Sequence, residues 1–296
     1  MLLRSLLVGL IAVITGCDSA DFSVLDNKFV VELTLIANEP LPSARVSELA
    51  RIDQKNQFKD LAITNAQVLL TTGTTELFME PSEGNPGIYE YLGKKHIVQP
   101  GTRYDLRVTI PGMSEPITGM TNVPSSVKIL AASRESGTYL TDEQLTLKVT
   151  PGRGIDQVQS NFTLVTQALD AGISSAVPFV AASLEDDDEL TLEDFRIGGS
   201  PIIAEGNFVT FSDGTIELIY PWIGVNFYGR NIIYLNALDD NLTEFVRSAE
   251  EQQGGNGVFG PGVIPNVIQS LSGAHGIFGS VARDSILFTV FPPDDS

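Results

Sequence analysis

Few side chains in this sequence are of the types that usually carry out chemistry. Its 296 residues include one cysteine, two histidines and 37 carboxylates. The histidines, His96 and His275, fall in different predicted domains, and each is interpreted as a loop side chain, with His96 expected to be solvated. No H-E-x-x-H, G-x-S-x-G or Gly-Lys-Ser/Thr motif occurs, so the local signatures of zinc hydrolases, serine esterases and nucleotide-dependent enzymes are missing. We predict no catalytic, cofactor-binding or metal-binding residues and no enzymatic activity.

The carboxylates leave two alternatives open. A carboxylate-based hydrolase is one of them, because the acid pair of a glycosidase has no local signature. The other is calcium binding by the acidic run 185–189, although this run lacks the alternating ligands and the sixth-position glycine of an EF-hand loop. We interpret the run as a solvated loop, and whether it binds calcium stays open.

One aromatic cluster offers candidate ligand contacts. Trp222, the only tryptophan, follows Tyr220 and Pro221, and Tyr228 comes soon afterwards. Aromatic rings of this kind can stack on a sugar, or they can pack in the core and at strand ends. Trp222 and Tyr228 are therefore named as candidate contacts of a glycan or peptide, with core packing as the alternative.

The single cysteine has a specific sequence context. One positive residue, Arg4, precedes an apolar run over 6–14 that is too short to cross a bilayer, which takes roughly twenty residues. The run ends in Ile14-Thr15-Gly16-Cys17, which resembles the lipobox of bacterial lipoproteins. That resemblance implies a signal peptide over 1–16, cleavage between Gly16 and Cys17, and acylation of Cys17, palmitate included. Residues 17–27 then form a lipidated tether.

Composition limits the partners of the chain. Its net charge is −19, and such a surface repels phosphate backbones and anionic headgroups, so we expect no nucleic-acid binding. Contact with the bilayer is expected through acylated Cys17. Because no cysteine follows position 17, the folded part has no disulfide and is stabilised by packing.

The elements that must position these residues are mostly strands. Arg103 to Ile110 alternates apolar with polar residues, as a half-buried strand requires, and similar short segments recur between glycine and proline turns. The pattern predicts an all-β fold with an N-terminal Ig-like β-sandwich over 28–124. A second β-rich domain, sandwich-like or barrel-like, is predicted over 125–296.

One helix is predicted within the second domain, near 241–253. Asn241 is its expected N-cap, with Glu244 three residues later, and glycines follow its end. Beyond it, two strands over 276–281 and 285–290 are expected to close the chain.

Several segments together resemble a family of Bacteroidota lipoproteins that is still described as a domain of unknown function. The segments are Phe29-Val30-Val31-Glu32-Leu33, Pro86-Gly87-Ile88-Tyr89, 100–108, Leu235-Asn236-Ala237-Leu238 with the Phe245 helix, and Asn266 through Gly276-Ile277-Phe278-Gly279. Members of this family are commonly encoded beside TonB-dependent outer-membrane receptors that carry a carboxypeptidase-regulatory-like extension.

The resemblance implies a cell-envelope, outer-membrane lipoprotein on the periplasmic or the surface-exposed face. We expect a non-enzymatic accessory or binding component associated with a TonB-dependent outer-membrane receptor. A stand-alone surface module that binds glycan or peptide is the alternative. The ligand, the leaflet and the oligomeric state stay open.

Overall fold

The computed structural model of the protein describes residues 28–50, 57–93, 95–253 and 268–293. The predicted signal peptide and tether, and with them Gly16 and Cys17, lie outside the described residues. Within those ranges, no helix has the length and apolar character needed to cross a membrane. Strands dominate the described chain, which confirms the predicted all-β fold.

The described residues form eighteen strands and four α-helices. Strands β1 to β7 are Phe29–Ile36, Ala44–Glu48, Gln67–Thr72, Thr75–Pro81, Ile88–Glu90, Arg103–Thr109 and Ile117–Asn122. Strands β8 to β18 are Ile129–Ala132, Ser136–Thr138, Thr146–Val149, Asn161–Ala168, Ile197–Gly199, Ile203–Ala204, Val209–Thr210, Ile216–Ile219, Gly229–Leu238, Leu271–Ser272 and His275–Phe291. Helices α1 to α4 are Phe58–Leu61, Pro178–Asp186, Leu192–Phe195 and Asp240–Gln253.

These strands form two sheets. The long sheet has the order β12-β11-β16-β18-β1-β2-β5-β4-β3-β6-β7-β17, with β13 added on β11 and β9 on β18. It folds back on itself, since Phe278 of β18 faces Gly119 of β7. This closed part is the first sandwich. The short sheet, β14-β15-β10-β8, packs on the long sheet and makes the second sandwich. Tyr220, just after β15, contacts Thr166 of β11 through its hydroxyl and Phe288 of β18 through its ring.

Strand β18 belongs to both sandwiches. Its first residues, His275 to Val281, pair in parallel with β1, and the residues from Val281 to Val290 pair antiparallel with β16. Val281 is therefore opposite both Ile36 and Leu238. The C-terminal strands complete the first sandwich as well as the second, and the predicted division near residue 124 stays a prediction.

Alternating side chains fill the two cores. In β6, Tyr104, Leu106 and Val108 are buried, whereas Arg103 and Arg107 are exposed, as the sequence pattern predicts. In the second sandwich, two sets of fully buried side chains face each other across the sheets: Leu147, Val149, Ile216 and Leu218 from the short sheet, and Phe162, Leu164, Ile233 and Leu235 from the long one. Burial of this kind contributes roughly 1.5–3 kcal/mol for each large apolar side chain.

Helix α4 begins one residue earlier than predicted, and Asn241 is not its cap. The backbone carbonyl of Asp239 accepts a hydrogen bond from the Thr243 amide at 3.0 Å, and its carboxylate accepts one from the Leu242 amide at 2.8 Å. These are the contacts of an N-cap. The Asn241 amide instead donates to the Met120 and Phe278 carbonyls at 2.6 and 2.8 Å, which fixes the helix against β7 and β18.

Three short helices were not predicted, and one predicted break is absent. Helix α2 forms because Pro178 stands in its first turn and Val180 is buried, so the acidic run 185–189 begins inside a helix and not in a loop. Strand β18 continues through the predicted gap because its polar residues have partners. Arg283 donates to the Asn236 side chain at 2.8 Å, and Asp284 accepts from the Ile129 amide at 2.8 Å.

Candidate functional site

Loops from four parts of the chain meet at one end of the second sandwich. The β9 backbone pairs with Thr289 to Phe291 at the end of β18, and the Tyr139 amide donates to the Phe291 carbonyl at 2.9 Å. The residues exposed or half-buried there are Tyr139, Leu140, Ile173, Phe179, Ile223, Tyr228 and Phe291. This group is called the aromatic end below.

Trp222 and Tyr228, the predicted contacts, are brought together by Tyr139. The Tyr139 ring lies 5.9 Å from the Trp222 ring and 5.7 Å from the Tyr228 ring, edge to face in both cases. Trp222 is only 7% exposed, and its indole nitrogen donates to the Thr141 carbonyl at 3.0 Å. Trp222 thus packs against Tyr139, Tyr139 packs against Tyr228, and the two half-buried tyrosines supply the rings that reach the surface.

The tyrosine hydroxyls are neutral hydrogen-bonding groups. Burial raises the pKa of Tyr139, and burial together with the neighbouring Tyr139 hydroxyl raises the pKa of Tyr228. Both phenols therefore stay protonated at physiological pH. Each can donate and accept a hydrogen bond at the edge of an otherwise apolar surface.

Backbone pairing fixes two of the loops against each other. Ala176 and Phe227 form an isolated antiparallel bridge, the Val177 amide donates to Asn226, and the Tyr228 amide donates to Ser175 at 2.7 Å. Phe227 is completely buried beneath this bridge. The bridge sets Ile173 and Phe179 beside the segment that carries Ile223 and Tyr228.

Leu140 adds a strained backbone to this end. Its φ is 59°, in the left-handed region that a branched side chain rarely adopts, and its side chain is 67% exposed. The following residue, Thr141, holds the conformation, since its hydroxyl donates to the Thr138 carbonyl at 2.8 Å and its own carbonyl accepts from Trp222. A large apolar side chain is thereby held in solvent, at a cost of order 1 kcal/mol or more.

The exposure of five large apolar side chains at this end is high. Leu140, Ile173, Phe179, Ile223 and Phe291 are between 51% and 73% exposed. Single exposed apolar residues need no explanation, whereas several at one end of a domain mark an interaction surface.

An acidic surface adjoins the aromatic end along α2. Phe179, Ala182 and Asp186 are exposed and lie at i, i+3 and i+7, on the side of the helix away from buried Val180. The whole run 185–189 is exposed. Between described residues, none of the ion pairs involves a side chain of this run. Nor do the described ranges contain a group of three or more His, Cys, Asp or Glu side chains that could hold a metal ion.

The two histidines lie elsewhere. His96 is half-buried, and its Nε2 lies 2.9 Å from the Tyr104 hydroxyl, so it is not the solvated side chain that we expected; burial lowers its pKa. His275 is a strand residue opposite Val30, and its Nε2 is buried without a hydrogen-bond partner among the described residues.

A second polar cluster is buried where the sandwiches meet. The Thr121 hydroxyl donates to the Asp239 carboxylate and lies 2.7 Å from the Ser280 hydroxyl. Burial raises the pKa of Asp239 to about 6, against the opposing effect of the Thr121 and Leu242 hydrogen bonds. A cavity of about 60 Å³ adjoins this cluster. Since the carboxylate is bonded on both oxygens, we interpret the cluster as a structural joint.

Sequence reasoning found one member of the aromatic end, Tyr228, together with the buried Trp222 that contacts Tyr139, and missed the others. Trp222 and Tyr228 drew attention as a local aromatic cluster, whereas Tyr139 comes from another segment and Leu140, Ile173, Phe179, Ile223 and Phe291 have no local signal. Cys17 and Gly16 lie outside the described residues, and their predicted roles stay predictions.

The architecture defines an all-β protein of two sandwiches that share one strand. The chain belongs to the family described as Domain of unknown function (DUF4249), whose model matches residues 19–286. This confirms the predicted membership of a family of unknown function over nearly the whole chain. No curated protein matches the sequence.

Among solved structures, the chain is similar to the crystal structure of trypsin activated alpha-2-macroglobulin from Escherichia coli. The identity is 7% and the TM-score is 0.21, over 72% of this chain and 14% of the other. The chain thus spans about 14% of the length of that protein. A similarity at this level carries no argument about fold or function.

Proposed function

We propose that the protein is a non-enzymatic lipoprotein of the bacterial outer membrane that binds a partner through its aromatic end, in association with a TonB-dependent receptor. One observation carries the binding role: five large apolar side chains are mostly exposed at a single end of the second sandwich. The lipobox Ile14-Thr15-Gly16-Cys17 supports the anchor. The receptor is supported by the resemblance to Bacteroidota lipoproteins encoded beside such receptors.

The geometry fits a protein tethered at one end and binding at the other. Lys28 joins β1 beside His275, the first residue of β18, whereas the aromatic end lies beside Phe291, its last. A strand of 17 residues is roughly 55 Å long. Lys28 is the eleventh residue after Cys17, so the tether can reach at most about 40 Å. A tether of this length does not span the distance to the aromatic end, which supports binding on the side away from the anchor.

Acylation suits this arrangement energetically. Each buried methylene contributes about 0.8 kcal/mol, so two or three acyl chains hold a protein where a single chain would be marginal. The acidic surface is not attracted to anionic headgroups. Membrane attachment therefore depends on the acyl chains of Cys17.

The test is a pull-down of the C-terminally tagged chain from crosslinked native envelopes, read by mass spectrometry. The wild-type chain should fractionate with the outer membrane and recover a TonB-dependent receptor in stoichiometric amount. A Cys17→Ser chain is the control and should lose both properties. A wild-type chain found in the soluble fraction would contradict the proposal that the protein is a lipoprotein. A membrane-bound chain recovered without a receptor would contradict the association with a receptor and favour a stand-alone binding module.

A further inference from the structure

We infer that the aromatic end binds a cationic amphipathic polypeptide, one in which apolar side chains are interspersed with lysine or arginine. The inference rests on the proposed binding role of this end and names the chemistry of its partner.

The exposed apolar side chains of the aromatic end indicate that the partner has an apolar part. Leu140 and Ile223 come from two separate loops, Ile173 and Phe179 come from the connection between β11 and β12 that includes α2, and all four are more than 65% exposed. Aliphatic and phenyl groups offer no hydrogen bonds, so their free energy of binding comes from contact with other apolar groups. Tyr139 and Tyr228 beside them are rings of the type that dominates protein interfaces.

The surface is also preformed. Trp222 is buried against Tyr139, Phe227 is fully buried, and the Ala176–Phe227 bridge ties the two segments together. A surface ordered before binding loses less conformational entropy when a partner docks. This favours binding of a flexible segment, whose own ordering is costly, on a rigid support.

The charge of the partner follows from the acidic flank. Phe179 and Asp186 lie on one exposed face of α2, and the run 185–189 continues from its end. Within the described ranges, the nearby cations are already paired: Arg134 with Glu143, Arg196 with Glu193, and Arg230 with Asp170. The charge left without a partner at this end is therefore negative, which complements lysine or arginine and steers such a segment to the surface.

A polypeptide fits this surface better than a glycan does. Sugar stacking needs an open aromatic face, but Trp222 is nearly buried and the two tyrosines pack edge to face on each other. A neutral sugar is not attracted by the net charge of an acidic flank, whereas lysine and arginine are. Exposed isoleucine and leucine side chains match apolar side chains of a peptide.

The test uses the full chain in nanodiscs of zwitterionic lipid, with empty nanodiscs as the blank. The probe is a fluorescent synthetic peptide of alternating leucine and lysine, and its anisotropy is titrated with protein. A leucine–glutamate peptide and a maltooligosaccharide serve as the comparison ligands. The lysine peptide should bind, more weakly as salt is raised, and the other two should not.

Two sets of variants assign the binding to this surface. Ile223→Ser and Phe179→Ser should each weaken lysine-peptide binding about tenfold or more, as removal of a central apolar contact does. Combined Glu185→Gln, Asp186→Asn and Asp188→Asn should weaken it severalfold and flatten its salt dependence. The matched controls are Phe78→Ser and Glu76→Gln, both exposed on β4 of the first sandwich, and neither should change it. Circular dichroism checks that every variant is folded.

Equal binding of the lysine and glutamate peptides, or binding unchanged in both variant sets, would overturn the inference. Maltooligosaccharide binding lost in Ile223→Ser would overturn it in favour of a glycan surface. Because no receptor is present in this assay, its result is separate from that of the pull-down. Peptide binding without receptor recovery would contradict the receptor association alone, and receptor recovery without peptide binding would contradict this inference alone.

Discussion

The Thr121 hydroxyl donates a hydrogen bond to the buried carboxylate of Asp239 and so joins β7 of the first sandwich to the first turn of α4. Ser280 of β18 completes this joint through its own hydroxyl. Gly279, the neighbour of Ser280, permits the close approach of the helix, because a Cβ there would lie 2.6 Å from Leu242 Cγ. The predicted cap, Asn241, and the actual cap, Asp239, thus share the task of docking α4.

The first prediction concerns pH. Burial raises the pKa of Asp239 from 3.8 to about 6, so between these values the folded state holds a proton that the unfolded state has lost. The free energy of unfolding from this group therefore falls as pH rises through that window, by an amount on the order of 3 kcal/mol. Asp239→Asn should remove this slope. Urea midpoints of both proteins from pH 4 to neutrality measure it.

Other carboxylates contribute slopes of the opposite sign, because hydrogen bonds lower the pKa of Asp170 and Asp194. These contributions are common to both proteins and cancel in the difference. Thr121→Val, which removes a hydrogen bond that lowers the pKa of Asp239, should move the window to higher pH. If the urea midpoints of the wild type and Asp239→Asn change in parallel with pH, burial does not shift the pKa of Asp239.

The second prediction concerns the parallel pair β1–β18. Gly276 has a φ of 104°, and a Cβ at this position would lie 2.1 Å from the Val31 carbonyl oxygen. Gly276→Ala should therefore destabilise the fold by several kcal/mol, since rigid backbone must move. Gly112→Ala is the matched control: its φ is 92° with nothing within 4 Å, so it carries only the backbone strain of about 1–2 kcal/mol. If thermal unfolding shows the same loss of stability in Gly276→Ala and Gly112→Ala, the contact with Val31 has no effect.

The third prediction compares the stability contributions of two neighbouring residues, the buried Trp222 and the exposed Ile223. Trp222 is 7% exposed, whereas the next residue, Ile223, is 73% exposed. Trp222→Ala should cost about 3–5 kcal/mol, through the cavity and the lost hydrogen bond to Thr141. Ile223→Ser should change the free energy of unfolding by no more than about 0.5 kcal/mol. Guanidinium titrations of both variants decide this, and a large loss in Ile223→Ser would place that side chain in the core.

The fourth prediction concerns one ion pair. The Glu205 side chain is 6% exposed, accepts from Arg153 Nε at 3.0 Å and from the Ser160 amide at 2.8 Å, and has a lowered pKa although burial opposes this. Arg153→Ala leaves the carboxylate unpaired and should cost about 1–3 kcal/mol at neutral pH, less than a fully buried pair would because Arg153 is partly exposed.

The loss of stability in Arg153→Ala should shrink as pH falls and Glu205 becomes protonated. The lowered pKa means that the folded state favours ionised Glu205, so the stabilisation by Arg153 is present only while Glu205 carries its charge. Arg103→Ala is the control. Its pair with Asp105 is about half exposed on both sides and screened by solvent, so Arg103→Ala should lose clearly less stability than Arg153→Ala. Urea unfolding at neutral and acidic pH measures both, and a loss in Arg153→Ala that does not vary with pH would contradict the assignment to Glu205.

The strands were predictable where burial alternates, as in β6 and β10, because apolar and polar residues alternate there in the sequence. Strand β2 was missed because Ala44–Glu48 is short and carries only one strongly apolar residue, Val46. The continuity of β18 could not be predicted, since Arg283 and Asp284 find their partners on β16 and at the first residue of β8.

The candidate site was predictable only in part for a similar reason. Trp222 and Tyr228 are near each other in sequence, but the ring that joins them, Tyr139, arrives through the pairing of β9 with β18. Exposure of Ile173 and Phe179 depends on the Ala176–Phe227 bridge, which no local pattern encodes. The acidic run was evident from the sequence, whereas its position beside an apolar surface was not.

The parallel pairing of β1 with β18 has a mechanical consequence. For a chain held at Cys17 and pulled by a partner on the aromatic end, force enters at the start of β1 and leaves near the end of β18. Both strands run in the same direction, so the force acts along them and across their hydrogen bonds. The seven register pairs from Val30 to Ile36 would then share the force in shear and yield together, instead of opening one after another as in a hairpin pulled from its ends.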